Sequence, residues 1–205
     1  MTLVSEPLTA APAAASDDVS SERRGSIQVV AIDASPHGHG RTAEVLGQVL
    51  DGARSAGATS DILTLASAPL QTAIHAIEAA DGIVLGTPVY RASYAYPLKA
   101  LLDQLPRGMW GETRAPLQGK AVVTVVTGAS LHHFLALDDL RNVLAGFFAA
   151  HVVPPGLYAP RGGIADGEGL DTDLGHQAEQ QGRALVELAS ALRECPTLRS
   201  LVAQA

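Results

Sequence analysis

The segment Asp33-Ala34-Ser35-Pro36-His37-Gly38-His39-Gly40-Arg41-Thr42 joins a short apolar run to a helical pattern. It carries two hydroxyls, a guanidinium and two glycines just ahead of a helix N-terminus, where unpaired N–H groups and the helix dipole favour an anion. Ser35, Arg41 and Thr42 therefore form a donor set for a terminal phosphate, with His37 at its edge. The structural alternative is a tight turn in which Thr42 is a plain N-cap. Gly38, Gly40 and Ala43 also satisfy the G-x-G-x-x-A dinucleotide fingerprint, which wants an acid about 20 residues on, at the end of the second strand. That strand ends in Thr64-Leu65-Ala66-Ser67, with Asp61 at its start, so a dinucleotide-binding dehydrogenase is disfavoured.

Two further segments have the same position relative to strands. Thr87-Pro88-Val89-Tyr90-Arg91-Ala92-Ser93-Tyr94 is read as a loop that presents main-chain polar groups and two aromatic rings, stiffened by Pro88. A planar heterocycle needs such a wall and such an edge. Thr127-Gly128-Ala129-Ser130 precedes a helical pattern and can offer N–H donors to a carbonyl-rich ring, or simply cap the helix. The histidines do not make a metal site. His37 and His39 have no carboxylate or cysteine suitably placed, and His132 and His133 point roughly 100° apart on a helix. The one cysteine, Cys195, excludes an internal disulfide and reads as an ordinary residue late in a helix.

The elements that must position these segments follow from apolar periodicity. Ile27 to Ile32, Ser60 to Leu65, Gly82 to Gly86, Ala121 to Val126 and a stretch within His151 to Tyr158 read as strands. Helical patterns follow each, from about Thr42, Gln71 to Ala80, Leu98 to Leu105, Leu131 to Phe148 and Leu174 to Glu194. The long fourth pattern is expected to turn Phe134, Leu135, Leu140, Val143, Leu144, Phe147 and Phe148 inward. Five β-α units in succession predict a parallel α/β sheet with helices on both faces, because parallel strands need right-handed crossovers. Ligands bind such sheets at the carboxyl ends of the strands, where all three segments fall.

The chain has 205 residues, 47% of them hydrophobic but only 4% aromatic, which predicts an aliphatic core in one domain. A net charge of −7 argues against nucleic acid as a partner. No apolar run reaches the roughly 20 residues that span a bilayer, and the start lacks the features of a secretory signal, so a cytoplasmic location is expected. Residues 1–26, rich in Ala, Ser, Pro and acids, read as a loosely ordered tail. Residues 27–195 read as the domain and 196–205 as a C-terminal extension.

Three stretches together resemble the NAD(P)H-dependent FMN reductase family, in particular the reductases of two-component sulfonate monooxygenase systems. They are Ser35-Pro36 with Arg41-Thr42, Gly86 to Tyr94, and Pro97-Leu98-Lys99-Ala100-Leu101-Leu102-Asp103-Gln104-Leu105-Pro106. The likeness continues through Leu117-Gln118-Gly119-Lys120, Thr127-Gly128 and His133. It implies a flavodoxin-like three-layer sandwich with a five-stranded parallel sheet in the order 2-1-3-4-5. It also implies an oxidoreductase that passes hydride from NADPH or NADH to FMN. Ser35, Arg41 and Thr42 would hold the FMN phosphate, with His37 where relatives usually carry arginine. Pro88, Val89 and Tyr90 would line the ring, Thr127 and Gly128 its pyrimidine side, and Arg91 would meet the nicotinamide nucleotide's phosphates. No acid-base catalyst is required. Some relatives carry an inserted aromatic in the fourth helix, which the stretch Leu137-Asp138-Asp139-Leu140 lacks. A flavin-dependent monooxygenase is the implied partner, with an FMN-retaining quinone or azo reductase and a flavodoxin-like carrier as rivals. Wide apolar stripes on the third and fourth helices predict a homodimer or homotetramer.

Overall fold

A computed structural model describes residues 25–165 and 169–203; nearly all of the expected N-terminal tail lies outside them. The central sheet is built from β1 (Gln28–Asp33), β2 (Thr59–Thr64), β3 (Gly82–Tyr90) and β5 (Ala121–Gly128), extended by short strands β6 (His151–Val152) and β7 (Leu157–Pro160). β1 lies between β2 and β3, β3 pairs with β5, and β5 pairs with both β6 and β7, all in parallel. The expected order 2-1-3-4-5 is thus present, with the fifth strand delivered in two pieces. Pro154 and Pro155 fall between them and cannot donate to a ladder. A short antiparallel strand, β4 (Ser93–Tyr94), also folds back on β3.

Side chains alternate across the pleat and divide the core in two. Val29, Ala31, Val84, Val123 and Val125 face α1 (Arg41–Ser55) and α5 (Thr172–Arg193). Val30, Ile32, Ile83, Leu85 and Val122 face α2 (Leu70–Ala79), α3 (Tyr96–Gln104) and α4 (Ala136–Asn142). The aliphatic, three-layer core follows directly from the composition. No helix among the described residues is long and apolar enough to cross a membrane.

Three expectations are corrected. The strand through Gly86 does not end there: β3 continues to Tyr90, because Thr87 and Pro88 still pair with Val126 and Thr127 of β5, and Val89 and Tyr90 pair with Tyr94 and Ser93 of β4. The fourth helix is not continuous. A 3-10 turn (Leu131–His133) precedes α4, and a π-helical turn (Val143–Phe147) follows it. This broken path leaves Phe134 53%, Leu135 58% and Phe147 47% exposed, whereas Leu140, Leu144 and Phe148 are buried as expected. Cys195 lies beyond α5, as the residue before the short helix α6 (Pro196–Arg199).

Two close contacts set the spacing of α1 and α5 within their shared layer. A Cβ on Gly182 of α5 would lie 1.9 Å from the Val49 carbonyl oxygen, and one on Gly52 of α1 would lie 2.2 Å from that of Glu179. The helices touch backbone to backbone, which holds α1 tightly against the sheet and fixes the height of its N-terminus. On the other face, Lys120 donates to the carbonyls of Ile77, Glu78 and Ala80 at 2.6–2.7 Å and so closes the C-terminal end of α2. Burial pulls the pKa of its ammonium down to about 8, opposed by the nearby Asp81 and Glu78 carboxylates. The Leu117–Lys120 stretch of the family likeness is therefore structural.

Gly182→Ala decides between two opposed effects. Better helix propensity is worth about 1 kcal/mol, and overpacking against a backbone costs about 3 kcal/mol. Net destabilisation of roughly 2 kcal/mol is expected in urea unfolding; an unchanged midpoint would disprove the close-contact account.

Candidate active site

The carboxyl ends of β1, β3 and β5 lie side by side, and the chain leaves each toward the same edge. Ala34 N–H donates to the Gly86 carbonyl at 2.8 Å, carrying the β1–β3 pairing one residue past the strand. Between these exits lies a cavity of about 310 Å³, lined by Ser35, His37, Arg41, Thr42, Pro88, Val89, Tyr90, Thr127 and Gly128. Tyr94, the second ring of its segment, packs against the core instead, while every residue expected to contact the cofactor lines the cavity except Arg91. That residue sits in the β3–β4 hairpin turn, where Arg91 and Ala92 have φ of 53° and 66°. The two-residue loop needs left-handed backbone at both positions, and neither residue is glycine, so the turn carries strain beside the site.

The floor is polar and fixed. Thr42 is not the N-cap; Gly40 is, and it has no side chain with which to cap α1. The Thr42 hydroxyl instead meets that of Thr127 at 2.9 Å, both side chains being buried, and this ties the first segment to the third. The first turn of α1 thus opens at the cavity behind a residue that contributes no capping group of its own. The third segment is pinned from behind by Tyr158 of β7, whose hydroxyl donates to the Ser130 carbonyl. Burial pushes that phenol's pKa up, so it stays a donor. Gly128 has to lack a side chain, since a Cβ there would lie 1.9 Å from the Tyr158 hydroxyl. On the opposite wall, Thr87 is fully buried; its hydroxyl accepts from Ala95 N–H at 2.9 Å and donates to the Pro88 carbonyl at 3.1 Å. This fastens the Pro88–Tyr90 edge to the start of α3.

Four site residues escaped the sequence reading. Ala159 of β7, with Arg161 and Ile164 just after it, completes the cavity, and Arg161 adds a second arginine to its lining. The signal was available: Arg161 directly follows the last sheet strand, at the edge where the other exits lie. The fourth is Asp33, fully buried at the end of β1. Its Oδ1 accepts from the Ser35 N–H at 2.9 Å and from the Ser35 hydroxyl at 2.6 Å. Ser35 was read as a donor to the cavity, yet its proton points at Asp33.

The donor set fits a flavin mononucleotide: helix amides, two guanidinium groups and hydroxyls at one end, and the Pro88-Val89-Tyr90 edge at the other. Residues 27–163 match the family model described as NADPH-dependent FMN reductase. The chain belongs to that family. A stretch of 94 residues is 44% identical to the NADH-dependent FMN reductase SfnF of Pseudomonas putida, covering 46% of this chain and 47% of that one. Another of 101 residues is 39% identical to the FMN reductase (NADPH) of Escherichia coli, covering 49% of each. The chain thus spans about half the length of the curated relatives it matches. Among solved structures, the apo form of the NADH:FMN oxidoreductase EMOB superposes with a TM-score of 0.69 at 26% identity, over 86% of this chain and 95% of that one. A WrbA-like flavodoxin from Agrobacterium tumefaciens superposes at 0.63 with 21% identity, over 82% and 99%, which speaks to the fold alone. Family membership accounts for the shared loops; the Asp33–Ser35 contact and the place of Arg161 in the cavity lining are read from this chain's own geometry.

Gly128→Ala should cost about 2 kcal/mol by forcing Tyr158 aside. A double-mutant cycle with Tyr158→Ala should return a coupling of about 1 kcal/mol or more; additive losses in urea unfolding would mean that the two do not meet.

Proposed function

We propose that this protein is an FMN reductase that takes hydride from NADPH or NADH and supplies reduced flavin to a separate monooxygenase. The observation that carries this reading is a single cavity joining a helix N-terminus, with two arginines, to a firmly braced Pro-Val-Tyr edge. When bound, FMN supplies a ring that accepts hydride at N5. The chain's own work is positional. Arg41, Arg161, Thr42 and the first amides of α1 bind the phosphate, with His37 in the exposed loop beside them. Pro88 and Val89 support one side of the ring, and Thr127 and Gly128 meet its polar edge. Tyr90, half exposed at the mouth, leaves the other side open to a stacked nicotinamide. Arg91, outside the cavity and exposed, is placed to meet the phosphates of the incoming dinucleotide.

One domain, residues 27–195, carries the whole site. A cytoplasmic location is consistent with a reaction that draws on NAD(P)H. Assembly as a homodimer or homotetramer is supported by the apolar side chains outside the core on the α3–α4 side: Tyr96 is 75% exposed, Leu131 69% and Phe147 47%.

Purified protein should be nearly colourless and oxidise NAD(P)H only with added flavin, with kcat/KM about tenfold or more higher for FMN than for riboflavin. Tightly held yellow flavin with full activity would favour an electron-transfer reductase that keeps its cofactor. Absence of nicotinamide oxidation would leave a carrier. Light scattering at micromolar concentration should return a dimer or tetramer; a monomeric mass would refute the assembly.

A further inference from the structure

Asp33 has no part in the reaction described above, and its surroundings need an explanation. The side chain is fully buried, its Oδ1 takes both Ser35 donors, and its Oδ2 has no hydrogen-bond partner among the described residues. No ion pair to it occurs among them either. A buried carboxylate with one oxygen unsatisfied is costly, and chains retain one where it does something.

Its position says what that is. Ser35 lines the cavity at the end where Arg41 and Thr42 also stand. Asp33 Oδ1 lies 2.6 Å behind the Ser35 hydroxyl. A phosphate oxygen touching that hydroxyl would therefore be no more than about 5.5 Å from the carboxylate, one further hydrogen-bond length away. Two effects follow, both unfavourable to an anion. The Ser35 proton is spent on Asp33, so the hydroxyl presents lone pairs to the cavity. The negative charge also repels a phosphate through protein rather than water, where screening is weak.

We propose that Asp33 is a positioning and specificity residue that weakens the phosphate grip of the cradle, keeping FMN exchangeable. This rests on the reading of the cavity as an FMN site. Arg41, Arg161 and the helix amides attract the phosphate; Asp33 subtracts from that attraction without blocking the ring. The discrimination between FMN and riboflavin is thereby held below what two guanidinium groups would give, which suits a protein whose product has to leave.

The test is flavin binding by fluorescence titration for the full chain and for Asp33→Asn, Asp33→Ala and Asp33→Ser, with folding checked by circular dichroism. Asn keeps an acceptor for Ser35 and removes the charge; Ala and Ser also free or share the Ser35 proton. Each folded variant should bind FMN at least about fivefold more tightly than the parent, with riboflavin affinity within about twofold. Unchanged or weaker FMN binding would overturn the proposal, as would equal tightening for both flavins or loss of folding in all three variants. Failure of the unaltered chain to bind either flavin would instead refute the FMN site itself, and the role of Asp33 with it.

Discussion

Parallel pairing of β1, β3 and β5 imposes a constraint from which the site follows. Parallel neighbours cannot be joined by a tight turn, so each strand is followed by a crossover helix, and every chain exit falls on one edge. The register then decides which residues meet there. Asp33 is opposite Gly86, and Pro88 is opposite Thr127, so segments far apart in sequence arrive side by side. The Thr42–Thr127 contact at 2.9 Å joins two of these exits across 85 positions. A slip of one residue in either pairing would reverse the faces of a strand and separate them.

Precision at that edge depends on packing well below it. The Gly52 and Gly182 contacts bring α1 and α5 together at backbone distance, and α1 supplies the amides of the cradle. Tyr158 and Thr87 act similarly on the other two exits, each using one hydroxyl to hold a stretch of main chain. In each case the residue that shapes the cavity is held by a hydrogen bond or steric stop, so the cradle is formed before any ligand arrives, which spares binding the cost of ordering it.

The legible part of this structure was the part written in short-range patterns. Val29 to Ile32 and Ala121 to Val126 are apolar runs that only a doubly covered strand accommodates, and the cavity residues follow those runs directly. The illegible part depended on long-range pairing. Nothing within Thr87 to Tyr90 announces a strand, since Pro88 argues against one; it is strand because β5 continues beside Thr87 and Pro88 and β4 folds back on Val89 and Tyr90. The fourth helix has a plausible helical period over its whole length. It breaks into 3-10, α and π turns, leaving Phe134, Leu135 and Phe147 outside the core. Asp33 was hidden for another reason: an acid ending a strand reads as a polar boundary, and only the folded chain buries it completely and turns Ser35 toward it.

That last residue bears on how such a site balances holding and letting go. An anion cradle is easily made strong, because helix amides and guanidinium groups add without interfering. Weakening it selectively is harder, since removing a donor also removes an orientation that the ring depends on. A buried charge behind a hydroxyl solves this differently. It leaves the cationic side chains in place to steer and orient, and lowers the depth of the well through Ser35, at a position where solvent cannot relax it. The cost falls on the stability of the empty chain, and the apolar layers beneath β1, with Ala31 and Ile32 fully buried, are what can bear it.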